Sequence, residues 1–386
     1  MKVLFLCMAN EFTPEMKYKE NYLIKAAIDN DDDVYVISNT KTYIEGKTAF
    51  VEAGEYKCDG YVVVRMNPKK FGISLLTDKL RVTPGLKERV LSIEPDVIFY
   101  NCPQIWNVNE LREIRSRLPK CVIVWDFSTW YGNSGSNWIS LNLLHKGIYR
   151  HWLKKNEKYV SKIYYTADDP HTFIREVYQL DESKMRLNDL PSEVLSDEEL
   201  YKKREDFRKK ESIEDDAIVF VHTGKMGKKK KTIELLKCFN KLSSGYNTYL
   251  YIIGSLEEEI KEEALELIHA NEKIRYVGFK KADEMMDIIS GCDIYLQPGS
   301  TSQTFQEAVC RGCIPIYAER SYDKELVGEY GREIHSDAEL ENSMKYFLVN
   351  PEMIGEIRSR LVDRVRERLD YRKLYQRMIY PDECNR

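Results

Sequence analysis

The chain has 386 residues, 43% of them apolar and 32% charged, with a net charge of −4. That length is enough for two domains with separate cores, and the composition excludes disordered and fibrous classes. The mild acidity argues against a general nucleic-acid binder, and apolar runs such as Val3 to Ala9 fall far short of the roughly 20 residues that cross a bilayer.

Val3–Met8 has no small-residue cleavage site after it and is followed by Glu11 and Glu15, so it reads as a first strand and not as a signal peptide. The protein is therefore expected in the cytoplasm. Nine cysteines scattered through apparent strands and helices suit a reducing compartment and small buried roles. Cys310 and Cys313 form a Cys-x-x-Cys with no second ligand pair, which favours packing over zinc or redox chemistry.

In the first half, strands are predicted at Val3–Met8, Val34–Ser38, Tyr61–Met66, Val97–Asn101 and Val122–Asp126. Helical patterns at Met16–Ile28, Leu80–Ser92 and Val108–Leu118 lie between them. This alternation is the signature of a parallel sheet covered by helices. No Gly-x-Gly-x-x-Gly follows the first strand, which argues against a dinucleotide-binding oxidoreductase. The turn there holds Asn10, Thr13 and Pro14, then Tyr18-Lys19-Glu20-Asn21.

After Asp126 the stretch Phe127 to Asn137 is rich in aromatic and amide groups, among them Trp130 and Asn133. Aromatic faces stack on pyranose rings and amides pair with hydroxyls, so the composition suits a sugar. Asp126 is the best acid here because open α/β sheets place ligands at strand carboxyl ends. The plainer reading is that it caps the following turn.

From Asn137 to Lys162 a helical wheel puts Trp138, Leu141, Leu144, Ile148 and Trp152 on one stripe. His145, Lys146, Arg150, His151, Lys154, Lys155, Lys158 and Lys162 surround it. A basic, Trp-bearing helix of this kind suits an anionic membrane surface, whereas the plainer reading is a core-facing stripe with a solvated basic face. His145 and His151 lack metal-ligand spacing and are assigned no metal.

Asn188 to Asp216, with its run of alternating charge, reads as a connection between lobes plus a solvated helix. A second alternation follows, with strands at Ile218–His222, Tyr249–Ile253, Ile274–Val277, Asp293–Leu296 and Ile314–Tyr317. Helices are predicted near Thr232–Leu242, Glu257–Ala270 and Asp283–Ile289, and a long charged helical stretch runs from Pro351 to about Tyr380. Gly224, Gly254 and Gly299 all follow strands of this second sheet, so their loops converge at its carboxyl edge. The segment Thr223-Gly224-Lys225, continued by Met226-Gly227 and Lys228 to Lys231, fails the spacing of a Walker P-loop.

The stretch Leu296 to Tyr317 reads as strand, small-residue turn, helix and strand. Pro298-Gly299 ends the strand, and Ser300 with Gln303 has the spacing of a capping box. The amides and positive dipole of that helix start offer an anion site over Gly299 and Ser300. At 100° per residue Glu307 falls opposite Phe305 and Val309 and is expected to be exposed. There it would accept hydrogen bonds from the hydroxyls of a ribose, and its truncation would cost little stability.

Pro298, Gly299, Ser300, Glu307, Ala308, Gly312 and Pro315 resemble the nucleotide-binding motif of GT-B glycosyltransferases, most closely the retaining family four. That family usually carries a first glutamate eight positions before this one, where Gly299 stands here. The resemblance implies two Rossmann-like lobes facing each other across a cleft, with a C-terminal helix crossing back to the first. The corresponding division is 1–190 as acceptor lobe, 191–365 as donor lobe and 366–386 as the returning helix. It further implies that Lys225 and Lys230 hold the diphosphate and stabilise the departing charge, so that no metal and no cofactor beyond the donor substrate is needed. Gly278 and Phe279 match, more loosely, where the base is contacted. Arg311, four residues after Glu307, suits a helical ion pair worth a few tenths of a kcal/mol.

The expected function is transfer of a sugar from a nucleoside diphosphate sugar to a glycan or lipid-linked acceptor, retaining and metal-independent, in surface polysaccharide or glycoconjugate synthesis. Catalytic candidates are Asp126, Lys225 and Lys230. Donor candidates are Gly224, Lys225, Lys230, Gly254, Gly278, Phe279, Gly299, Ser300, Thr301, Ser302 and Glu307. Acceptor candidates are Asn10, Thr13, Asn21, Asp126, Trp130 and Asn133. Residues 138–162 are the candidate contact with the inner face of an anionic membrane. A nucleotide-sugar 2-epimerase and a non-catalytic nucleotide-sugar-binding subunit are the rival readings.

Overall fold

A computed structural model describes residues 1–14, 16–44, 47–72, 74–135, 137–300 and 304–379. The chain divides into two compact units, Met1–Pro191 with Tyr371–Arg386, and Ser192–Asp370.

The first unit is built on an eight-stranded sheet. From edge to edge its strands are Met185–Leu187, Lys162–Tyr165, Val122–Phe127, Val97–Asn101, Lys2–Cys7, Asp33–Asn39, Tyr61–Met66 and Gly54–Cys58. All neighbours are parallel except Gly54–Cys58, which runs antiparallel to Tyr61–Met66. The central strands are continuous apolar runs because both faces are covered, as Val3 to Leu6 and Ile98 to Tyr100 show by being fully buried. A separate hairpin pairs Lys41–Ile44 with Lys47–Phe50.

The helix predicted at Leu80–Ser92 is two helices, Ser74–Leu80 and Leu86–Ile93. Pro84 excludes helical geometry for Thr83, and Gly85 takes a left-handed φ of +78° at the start of the second helix. The stretch 137–162 departs further from expectation. Ser140–Tyr149 is wound as a π-helix, Arg150–Asn156 as an α-helix, and Lys162–Tyr165 is already a strand. π-winding closes i to i+5 bonds and puts more residues in each turn than the α-helix, so the 100° wheel misassigns the faces there. Trp138, Leu143 and Ile148, five residues apart, are exposed, whereas His145 and Tyr149 are buried.

The second unit holds a six-stranded, all-parallel sheet. Its order is Ile274–Gly278, Thr248–Ile253, Ile218–Thr223, Ile294–Gln297, Ile314–Ala318 and Arg332–Ile334. The connection read as a solvated charged helix is the helix Asp197–Lys210, opened by a capping box of Ser196 and Glu199. It is anchored rather than free, since Arg204 and Arg208 each reach Asp293 at 2.6 Å and Phe207 is buried.

The long helix Met353–Leu369 ends at Asp370, and the chain returns to the first unit as the helix Tyr371–Ile379. There it packs on the helix Lys19–Asp29. Tyr371 donates to Asp29 at 2.5 Å and Tyr375 to Asp32 at 2.6 Å. Met378 and Ile379 join the apolar core of the sheet's first strands. Among the described residues no helix is long and apolar enough to cross a membrane.

Candidate functional site

In the second unit the carboxyl ends of four neighbouring strands meet through backbone contacts. Gly254 N–H donates to Gly278 O at 2.8 Å, and Gly224 N–H to Ile253 O at 2.9 Å. A Cβ on Gly254 would sit 1.8 Å from Gly224 O, and Gly254 has a φ of +135°, so only glycine fits there. Gly299 is closed in the same way. A Cβ at that position would lie 2.2 Å from Lys229 O, and Ser300 N–H donates to the same carbonyl at 2.7 Å. The Ser300 amide expected to face an anion is therefore already engaged. Thr301, Ser302 and Gln303 lie outside the described residues, and with them the capping box.

Lys230 is the centre of this edge. It ends a short 3₁₀ turn, Lys228–Lys230, before the helix Thr232–Leu242. Its side chain is only 8% exposed and crosses Gly224, its Nζ 3.4 Å from where a Cβ would be. That ammonium has no hydrogen-bond partner among the described residues, and burial pulls its pKa down. The neighbouring His222 is held between Leu296 O and Thr232 Oγ1 and pushed down to about 4, first by burial and then by the charge of Lys230. A buried cation with no counter-charge among the described residues, over a floor that excludes side chains, has the chemistry to receive an anion. Lys225 sits apart from it, exposed and paired with Glu257 at 3.1 Å. Phe279 is 81% exposed beside Gly278, as a face left for a planar base would be.

The expectation for Glu307 needs correction. The helix Thr304–Cys310 has no open side, and every residue from Phe305 to Cys310 is buried, because the sheet and the helices Ala282–Ser290 and Met353–Leu369 surround it. Glu307 is 5% exposed, and its Oε2 pairs with buried Arg311 at 2.7 Å. The helical ion pair is present, but in the interior and not as a weak surface contact.

In the first unit the acceptor candidates separate into two groups. Asn10 and Asn133 line one cavity of about 850 Å³, although Asn133 also closes its own loop, accepting from Trp130 N–H and donating to Ser128 O. Trp130 is half-exposed on that loop. Thr13 bonds to Thr42 and to Tyr43 N–H, and Asn21 donates to Thr13 O, so both brace the hairpin. Asp126 is wholly buried in an ion pair with Lys19, and burial pushes its carboxyl up. Glu20 beside it is likewise raised, first by burial.

Sequence reading missed the rest of this cavity's wall. Lys79, in the last turn of the helix Ser74–Leu80, and Arg81, just after it, also line the cavity. His145 lies behind them, accepting from or donating to Tyr178 at 2.7 Å. Gln104 bonds Thr129 and Tyr178. The break at Thr83-Pro84-Gly85 was the available signal for the first two.

This pair of parallel α/β units with a returning C-terminal helix is the GT-B fold. The chain is similar over its whole length to HepE of Anabaena in complex with UDP, at 15% identity, 98% coverage of each chain and a TM-score of 0.66. It is similar also to sucrose-phosphate synthase of Thermosynechococcus elongatus, at 12% identity, 98% and 97% coverage and 0.66. WaaG, a glycosyltransferase of lipopolysaccharide biosynthesis, matches at 12% identity, 98% of each chain and 0.59. No curated protein sequence matches the chain. Residues 203–368 match the family model described as Glycosyl transferases group 1. That glycosyltransferase domain spans the strand ends gathered around Lys230.

Proposed function

We propose that the second unit binds a nucleoside diphosphate sugar and the first an acceptor, and that the protein moves the sugar with retention and without a metal to a glycan or lipid-linked acceptor. The bond from the anomeric carbon to the diphosphate breaks, one to an acceptor hydroxyl forms, and the hydroxyl proton ends on the released diphosphate. The observation that carries this reading is Lys230, a buried ammonium unpaired among the described residues and able to stabilise the charge that develops on the diphosphate. The close floor of Gly224, Gly254 and Gly299, the exposed ring of Phe279 for the base and Glu307 for the ribose complete the donor site, with Arg311 positioning Glu307. Lys225, exposed and paired with Glu257, assists at its rim. Asp126 serves the acceptor side by holding the loop after its strand in place. HepE was crystallised with UDP, which makes UDP the first nucleotide to test. The test is UDP release that requires added acceptor. Release without any acceptor, or none with the full chain under a broad donor and acceptor screen, would refute the reading, and return of a 2-epimer would establish the rival activity.

A membrane contact in surface polysaccharide or glycoconjugate synthesis is supported by one further observation. Trp138 and Ile139 are 69% and 66% exposed, on the same helical stretch as exposed Lys146, Lys154, Lys155 and Lys158. Each lysine near an anionic surface contributes about 1 kcal/mol and fades with salt. Binding to vesicles containing anionic lipid, lost at high salt and absent with neutral lipid, is the expected result. Equal binding to both would refute it.

A further inference from the structure

The cavity of about 850 Å³ in the first unit has an unusual wall. None of the described residues lining it is acidic, while Lys79 and Arg81 both do so. Neither cation pairs with a carboxylate among the described residues. Arg81 is fixed by its own backbone and by carbonyls. It takes a left-handed φ of +50°, its Nε donates to Asp78 O at 3.1 Å and its Nη1 to Gln104 O at 3.4 Å. The other terminal nitrogen, Nη2, has no partner among the described residues. Tyr149 ties the loop from below by donating to Lys79 O at 2.6 Å. The positive field is felt by the buried imidazole behind: His145 is pushed down to about 4 by burial, then by Lys79 and Arg81. The cavity is also lined by apolar side chains, Ile139 just before the π-wound helix and Leu143 and Ile148 within it, each of them exposed.

We propose that this cavity is a subsite for an anionic amphiphile, in which Arg81 and Lys79 bind a phosphate and the exposed π-helix row receives an attached apolar chain. The acceptor class that follows is a phosphate-bearing lipid-linked sugar. Assignment of the ligand as acceptor rests on the proposed transfer reaction, whereas the anion site itself does not.

The experiment is calorimetric titration of the full-length protein with octyl phosphate below its micelle concentration, with inorganic phosphate and with octyl glucoside as separate probes. UDP is titrated into the same samples. Octyl phosphate is expected to bind best, inorganic phosphate weakly and the uncharged octyl glucoside least. Arg81→Gln and Lys79→Gln should each weaken octyl phosphate by about tenfold, as loss of a charge-assisted hydrogen bond does, with UDP affinity unchanged. Leu143→Asn should weaken octyl phosphate but leave inorganic phosphate alone. Because Arg81 also holds two carbonyls, Lys79→Gln, at an exposed position, guards against a folding artefact. Octyl phosphate affinity unaltered in both cation variants, or matched by octyl glucoside, overturns the proposal. Failure of UDP to bind while octyl phosphate binds as described would instead count against the donor reading and leave this site standing.

Discussion

Replacing Lys230 by methionine should move stability and binding in opposite directions. The side chain is buried and its ammonium unpaired, so in the empty protein it contributes a desolvation penalty with no compensating contact. Methionine keeps the length of the chain and removes the charge. Exchanging a buried charge for an apolar group of similar volume is neutral or stabilising by about 1–4 kcal/mol, so the variant should melt at or above the wild type without ligand. With nucleotide the sign reverses. Loss of a charged hydrogen bond to a phosphate costs about 1.5–3 kcal/mol, which is roughly a tenfold to 150-fold rise in the Kd for UDP. Calorimetric titration with UDP and scanning calorimetry with and without it read both effects. There is an independent check in pH. The folded pKa of Lys230 lies below the usual 10.5, so the unfolded chain binds the extra proton in the window between them. Wild-type stability should rise with pH across that window and the variant should lack this component. A variant that melts lower when empty and binds UDP as the wild type does would refute the assignment of Lys230 to the diphosphate.

Glu307→Ala should destabilise by about 3–5 kcal/mol, because it leaves Arg311 buried without its counter-charge; urea denaturation measures this, and a loss below about 0.5 kcal/mol, normal for an exposed site, would contradict the buried pair. His145 and His222 are both pushed down to about 4, so the unfolded chain binds their protons first and stability falls as pH drops from about 6.5 towards 4, by up to roughly 3 kcal/mol each. Asp323, pushed up to about 6 by burial, acts with the opposite sign and offsets part of this. His145→Gln should remove one share of the acid loss in denaturation series at pH 7 and pH 4.5, and an unchanged slope would count against a neutral buried imidazole. Glycosyl transfer should survive EDTA, and a complete loss restored by Mg²⁺ would replace Lys230 with a metal as the diphosphate's partner.

The fold was legible where local pattern and tertiary role agree. Apolar strands such as Val97–Asn101 and Ile218–Thr223 sit where period and length put them, since a parallel strand covered on both faces needs a largely apolar run. Short edge strands such as Met185–Leu187 and Arg332–Ile334 carry no such run and escaped notice. Two wheel-based readings failed for different reasons. At Glu307 the period was correct, but a helix packed on every side has no solvent face for the wheel to identify. At 137–162 the period itself was wrong, because nothing in a stretch such as Leu141-Asn142-Leu143-Leu144 announces π-winding. Glycine spacing did point to the converging loops, because close backbone approach is a requirement that only one residue type meets.

What the sequence hides most completely is which charges are paired. Lys19 meets Asp126 across 107 positions, and Arg208 meets Asp293 across 85, so no local window foretells either pair. Both tie separate elements together and are explained by the fold. The lysine run makes the distinction within four residues: Lys228 pairs with Glu259 and Lys231 with Asp337, each at 3.3 Å, while Lys229 lies exposed. Lys230 alone is carried inward, because the 3₁₀ turn Lys228–Lys230 followed by left-handed Lys231 directs one side chain of the four across Gly224. A buried ammonium with no partner among the described residues gives the empty fold nothing in return for its desolvation. An anion bound at the edge where four strands of the group 1 domain end would account for its position, which is what the Lys230→Met titration with UDP tests.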